Sequence, residues 1–104
     1  MITALVQFTL PQAVSLAQAR TLFAGSAPNY LGLDGLVRKY YLLSADGRTA
    51  GGVYLWRSRA AAEGFYNEAW EEFIKEKYGV RPTVTYFQSP VIVDNLRGEI
   101  LDLE

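Results

Sequence analysis

The dipeptide Asp46-Gly47 separates two apolar runs, LVRKYYLLS before it and TAGGVYLW after it. Asp-Gly in that setting is a strong hairpin signal, because both residues tolerate the positive φ of a type I′ turn. With Asp46 and Gly47 as the two loop residues, Tyr41 lies opposite Gly52, Lys39 opposite Tyr54 and Val37 opposite Trp56. One face of this hairpin then carries Leu36, Tyr40, Leu42, Val53 and Leu55, with Arg38 among them. The other carries Val37, Tyr41, Leu43, Tyr54 and Trp56, with Lys39. Both faces are greasy, whereas a half-solvated sheet shows one polar side.

The remaining segments fix what surrounds the hairpin. Residues 2–10 alternate as a strand, with Ile2, Ala4, Val6, Phe8 and Leu10 on one side. Ser15 and Gln18 fit a capping box, and Leu16, Ala19, Leu22 and Phe23 recur at helical spacing until Gly25, the expected stop. Ser58 is an N-cap for a second helix reaching Tyr78, with a break near Asn67 that re-caps the second piece, and Gly79 ends it. Residues 83–93, TVTYFQSPVIV, read as a fourth strand whose latter half is edge or bulged because of Pro90. The tail 94–104 is mostly polar with spaced leucines.

The order β-α-β-β-α-β predicts an α+β, ferredoxin-like domain over residues 1–104, a four-stranded antiparallel sheet with helices on one face. Two helices cover only one greasy face. The other predicts a homodimer in which two sheets pack together, since soluble monomers avoid large apolar patches. Arg38, on that second face, is then expected in an intersubunit salt bridge.

Composition removes several kinds of chemistry. The chain has no cysteine and no histidine, which excludes thiolate nucleophiles, Cys-ligated metals and a Ser-His-Asp triad. Ten basic residues against eleven acidic ones leave a net charge of −1. No basic stripe suits nucleic acid, and no apolar run approaches a membrane span. The N-terminus has no basic leader and alternates like a strand, so a cytoplasmic protein is expected. The run Glu68, Glu71, Glu72, Glu76 with Lys75 and Lys77 reads as a solvated helix face, and no carboxylates group at metal-binding spacing.

The hairpin also carries a resemblance. GLVRKYYL followed by AGGVYLW, then a Ser-capped Ala-rich helix and a closing aromatic strand, resembles the dimeric α/β-barrel superfamily that includes the antibiotic-biosynthesis monooxygenases. The nearest branch is the YdhR-like mono-oxygenases, whose hairpin reads Gly-x-x-x-Lys, then Ala-Gly-Gly-x-Tyr-Leu-aromatic. Gly35, Lys39, Ala50, Gly51, Gly52, Tyr54, Leu55 and Trp56 match that form. The resemblance implies a homodimer whose sheets close a barrel and a pocket between each sheet and its own helices. It also implies oxidation of polycyclic phenols by O₂ without metal or flavin. Haem degradation, which other relatives perform through a histidine, does not fit a chain with none.

Candidate residues follow from the hairpin face that carries Lys39. Glycine inside a strand marks a bulge, a close backbone approach or room for a ligand. Gly52 is expected to leave space beneath Tyr41 and Gly51 to ease strand coiling; alternatively Tyr41 merely covers the glycine. Lys39, Tyr54 and Tyr41 are the candidate catalytic residues. The ammonium of Lys39 would stabilise a phenolate, or else snorkel or pair with Asp94, Glu63 or Glu68. Trp56, Gly52, Asn29, Tyr30, Tyr66, Trp70 and Phe73 are the candidate substrate contacts. The aromatic stripe Tyr66, Trp70 and Phe73 also suits plain core packing, and Asn29 a plain turn. The expected function is a cofactor-free monooxygenase acting on a small aromatic molecule. The alternative is a non-catalytic homodimer that binds a metabolite or fills the pocket itself.

Overall fold

The computed structural model describes residues 1–103. Its elements are β1 (Ile2–Thr9), α1 (Leu16–Ser26), β2 (Leu36–Leu43), β3 (Thr49–Trp56), α2 (Arg59–Phe65), α3 (Glu68–Tyr78), β4 (Thr83–Gln88), β5 (Val91–Asp94) and β6 (Glu99–Asp102). The first four strands pair antiparallel in the order β2-β3-β1-β4. This is the predicted ferredoxin-like α+β domain. The alternation of β1 buries Ile2, Ala4, Val6 and Phe8 beneath the helices, where Ala50, Tyr54, Trp56, Trp70 and Ile74 join them in one core.

The hairpin keeps its predicted register, Lys39 opposite Tyr54 and Tyr41 opposite Gly52, by way of a different turn. Only Gly47 has positive φ (73°); Asp46 does not, so the turn is not type I′. The Ser44 N–H donates to the Thr49 carbonyl at 2.8 Å, and the Gly47 N–H to the Ser44 carbonyl at 3.0 Å. The Asp46 carboxylate accepts from the Ser44 hydroxyl at 2.7 Å and the Arg48 N–H at 3.0 Å, which holds the four-residue loop 45–48. Widening the loop by one residue on each side moves both strands equally, so register survives. Val37 is a correction. A bulge puts Leu36 opposite Trp56 and leaves Val37 unpaired and exposed.

Three further expectations fail. Helix α1 does have the Ser15–Gln18 capping box but runs through Gly25 to Ser26, then tightens into a 3₁₀ turn at Ala27–Asn29. Leu16 is 77% exposed, so Ala19 rather than a leucine stripe docks this helix. The strand expected over residues 83–93 stops at Gln88. Proline cannot donate to a ladder, and after Pro90 the chain leaves the sheet as β5. That strand pairs with β6 in the tail, where no strand is predicted. The second helix breaks as expected. Asn67 accepts the Trp70 N–H at 2.9 Å and starts α3, and Gly79 ends it.

The β5–β6 hairpin projects. The radius of gyration is 14.4 Å, against about 13 Å for a compact domain of this length. Val91, Val93, Leu96 and Ile100 on the hairpin are exposed, as are Tyr40, Leu42 and Phe87 on the sheet face away from the helices. Arg38, expected to bridge subunits, instead reaches Asp94 of its own chain at 3.5 Å.

Candidate functional site

Glycines 51 and 52 face opposite constraints. A Cβ on Gly51 would stand 1.8 Å from the Val6 carbonyl oxygen, so strand β1 lies directly against it. Gly51 therefore permits a close backbone approach rather than merely easing coil. A Cβ on Gly52 would meet the Tyr40 carbonyl oxygen at 2.9 Å, the Tyr54 ring at 3.1 Å and the Lys39 stem at 3.3 Å. The room over Gly52 is thus taken by Tyr54 and Lys39, not by Tyr41 as its cross-strand position predicts.

Lys39 is the centre of the arrangement. Its Nζ lies 3.4 Å from the ring centroid of Tyr30, 3.7 Å from Tyr41 and 4.6 Å from Tyr54. None of the expected carboxylates reaches it. Asp94 pairs with Arg38 and Glu63 with Arg59, and among the described residues Lys39 makes no ion pair. Burial, with Lys77 as a lesser cause, pulls the amine down to about 7. The ring faces return part of the lost solvation, because their quadrupoles attract a cation. At neutral pH Lys39 therefore exists as both amine and ammonium.

Proton direction around Tyr41 follows from a hydroxyl's single hydrogen. The Ser26 hydroxyl donates to the Phe23 carbonyl at 3.2 Å, so its oxygen accepts the Tyr41 hydroxyl at 2.7 Å. Tyr41 is left as a hydrogen-bond acceptor on its other side. Burial raises the Tyr41 and Tyr54 phenols above the ordinary tyrosine value, which keeps both neutral.

Two spaces meet at this cluster. A small cavity of about 20 Å³ is lined by Val6, Phe8, Lys39, Tyr54, Phe73 and Tyr78, among others. That is room for one water. An open cleft of about 250 Å³ lies on the other side, between the 3₁₀ turn and the edge strand, over Leu31, Gly32, Leu36 and Val37. Tyr30, Lys39 and Tyr41 line both spaces and so form the partition between them.

Of the remaining candidates, Trp56 is fully buried; it lies parallel to Tyr54 and donates its indole N–H to the Tyr66 hydroxyl at 3.0 Å. Trp70 packs on Tyr66 with centroids 4.8 Å apart and donates to the Tyr30 hydroxyl at 3.4 Å. These form a wall behind the cluster and line neither space. Asn29 is exposed and also lines neither. Ser26, Phe23, Phe8 and Tyr78 line the cavity without having been singled out from sequence. Phe8, Phe23 and Tyr78 belong to apolar periodic segments, which does not distinguish cavity from core, and Ser26 lies past the expected helix stop with no sequence signal of its own. Among the described residues no group of His, Cys, Asp and Glu is placed to hold a metal ion. Among the described residues no helix is long and apolar enough to cross a membrane.

No family model matches the sequence and no curated protein matches it. Solved structures do. The chain is similar to a monooxygenase from the gene ActVA-Orf6 of Streptomyces coelicolor, in complex with Nanaomycin D. The two share 17% identity at a TM-score of 0.64, over 85% of this chain and 86% of that one. It is similar to SnoaB, a cofactor-independent oxygenase from Streptomyces nogalater, at 18% identity and a TM-score of 0.59, over 85% and 91%. NE2512, a protein of unknown function from Nitrosomonas europaea, matches at 13% identity and a TM-score of 0.64, over 85% and 87%. At these identities the likeness is one of fold.

Proposed function

We propose that this chain is a cofactor-independent monooxygenase of the YdhR-like kind, acting on a small phenol- or quinol-like molecule at the Lys39 cluster. The observation that carries this reading is a half-buried amine, without a carboxylate partner among the described residues, held among Tyr30, Tyr41 and Tyr54 at the mouth of a cleft. The activity of SnoaB and the ligand of the ActVA-Orf6 protein support it by analogy of fold. The small cavity has no room for a ring, since benzene occupies an engineered cavity of about 150 Å³. A ring of one or two cycles fits the cleft of about 250 Å³, with its hydroxyl toward Lys39.

The neutral amine takes the proton of a substrate carrying an activated methylene, and the resulting ammonium holds the anion. The anion passes an electron to O₂, and the radical pair closes a C–O bond. The O–O bond then breaks as the second C–H proton leaves. One oxygen atom stays as the new C=O, and the other departs as water with the two hydrogens. The substrate supplies all the electrons, so no further reductant enters. Tyr41, as an acceptor, orients the substrate hydroxyl.

The working form is a homodimer. The exposed Tyr40, Leu42 and Phe87, with Val91 and Val93 of the projecting hairpin, form an apolar surface that a second copy would cover. Sedimentation at micromolar concentration is expected to give twice the 11.6 kDa chain mass. For the reaction, oxygen uptake is measured with a panel of one- and two-ring phenols that carry an activated methylene. Turnover above buffer, lost in Lys39→Ala, is expected. No uptake with any member, together with a small molecule retained in native mass spectrometry, would instead establish a non-catalytic binding dimer.

A further inference from the structure

The chain has three lysines and neither cysteine nor histidine, so its nucleophiles are few. Lys75 is exposed on α3. Lys77 donates to the Leu22 carbonyl at 3.2 Å. Lys39 alone stands in an aromatic enclosure, with no hydrogen-bond or ion-pair partner for its Nζ among the described residues. A desolvated amine without a carboxylate is the state that makes lysine a nucleophile toward carbonyl carbon.

We propose that Lys39 is a covalent capture site for small aromatic aldehydes that enter by the cleft over Leu31, Gly32 and Val37. The Nζ adds to the carbonyl carbon, forming the C–N bond as the C=O π bond opens. The carbinolamine then loses its oxygen as water, taking both amine hydrogens, and an imine remains. No oxidant or reductant is consumed. The aromatic class follows from the walls. Tyr30 and Tyr41 both line the cleft, with their rings near perpendicular and centroids 6.2 Å apart, and edge contacts between rings add to burial. The cleft of about 250 Å³ sets the size at one or two rings.

This activity needs only the geometry around Lys39, so it stands or falls apart from the oxygenase reading. The full chain is incubated without oxygen at pH 7 with 4-hydroxybenzaldehyde and sodium cyanoborohydride, which reduces an imine to a stable amine. Peptide mapping then compares the three lysines within one molecule. Labelling of Lys39 more than about tenfold faster than Lys75 or Lys77 is expected, because its Nζ has no hydrogen-bond or ion-pair partner among the described residues and stands where the cleft holds an aromatic guest. Propionaldehyde should show little of this preference. Even labelling of the three lysines, or none at Lys39, overturns the proposal. Equal preference for the aliphatic aldehyde overturns the aromatic assignment. Lys39→Arg should lose the fast label while Lys75 and Lys77 react as before.

Discussion

The two faces of the sheet are made from nearly the same kinds of residue and meet opposite fates. On the helix side Ala4, Val6, Tyr54 and Trp56 are at most 2% exposed. On the far side Tyr40 and Phe87 are 53% and 52% exposed. Hydropathy alone does not distinguish these faces. The difference comes from what stands against each. One is closed by Trp70, Ile74 and the tyrosine cluster of the same chain, whereas the other meets the β5–β6 hairpin through the Arg38–Asp94 pair and leaves its large apolar side chains exposed. Burial is a property of the partner as much as of the residue.

The strongest way to break this contrast is at the glycines. Gly51→Ala should cost more than about 4 kcal/mol, because a backbone carbonyl occupies the position of the new atom; chemical denaturation reads it directly. Little change in the unfolding midpoint would mean that β1 does not lie so close. Gly52→Ala, which meets two movable side chains as well as one carbonyl, should cost about 1–3 kcal/mol. It should also impair any reaction that depends on Lys39.

A charge on the covered face gives the next effect. Lys39→Met should abolish oxygen uptake yet raise stability at pH 7 by about 1–2 kcal/mol, since a buried charge is replaced by an apolar chain. A lower melting temperature would instead make the tyrosine contacts net stabilising. The pH dependence follows from proton counts. The Lys39 amine holds its proton to about 7 when folded, against 10.5 for an ordinary lysine. Between these values the unfolded chain binds more protons, so wild-type stability should rise with pH from 7 toward 10. Lys39→Met should be flat over that window. Above about pH 10 the raised Tyr41 and Tyr54 phenols reverse the trend, because only the unfolded chain ionises there.

The smallest effect on folding is expected on the open face. Phe87→Ser should alter unfolding of the dilute monomer by less than about 0.5 kcal/mol. The same change should weaken dimerisation in sedimentation. A large loss of monomer stability would show that its own chain already covers that face.

Legibility from sequence divides along the same line. The hairpin register, the Ser15 and Asn67 caps and the β1 alternation depend on neighbours a few residues away, and all were readable. The four-residue loop was not, because Asp46 satisfies Ser44 and Arg48 through its side chain instead of adopting positive φ. The Val37 bulge and the split at Pro90 depend on which strand lies alongside. Within the site, the crowding of Lys39 by Tyr41 and Tyr54 could be approached from hairpin parity. Ser26 could not, since its link to Tyr41 joins a helix end to a strand 15 positions away.

The interruption at Asn67 sets the phase of everything after it. Tyr66, at the end of α2, turns to accept the Trp56 indole, and α3 begins afresh with Trp70 and Ile74 aimed at the sheet. Adding or deleting one residue at this seam would rotate the second helix by about 100°. The aromatic wall would then point into water, so the junction should tolerate substitution far better than any change in length.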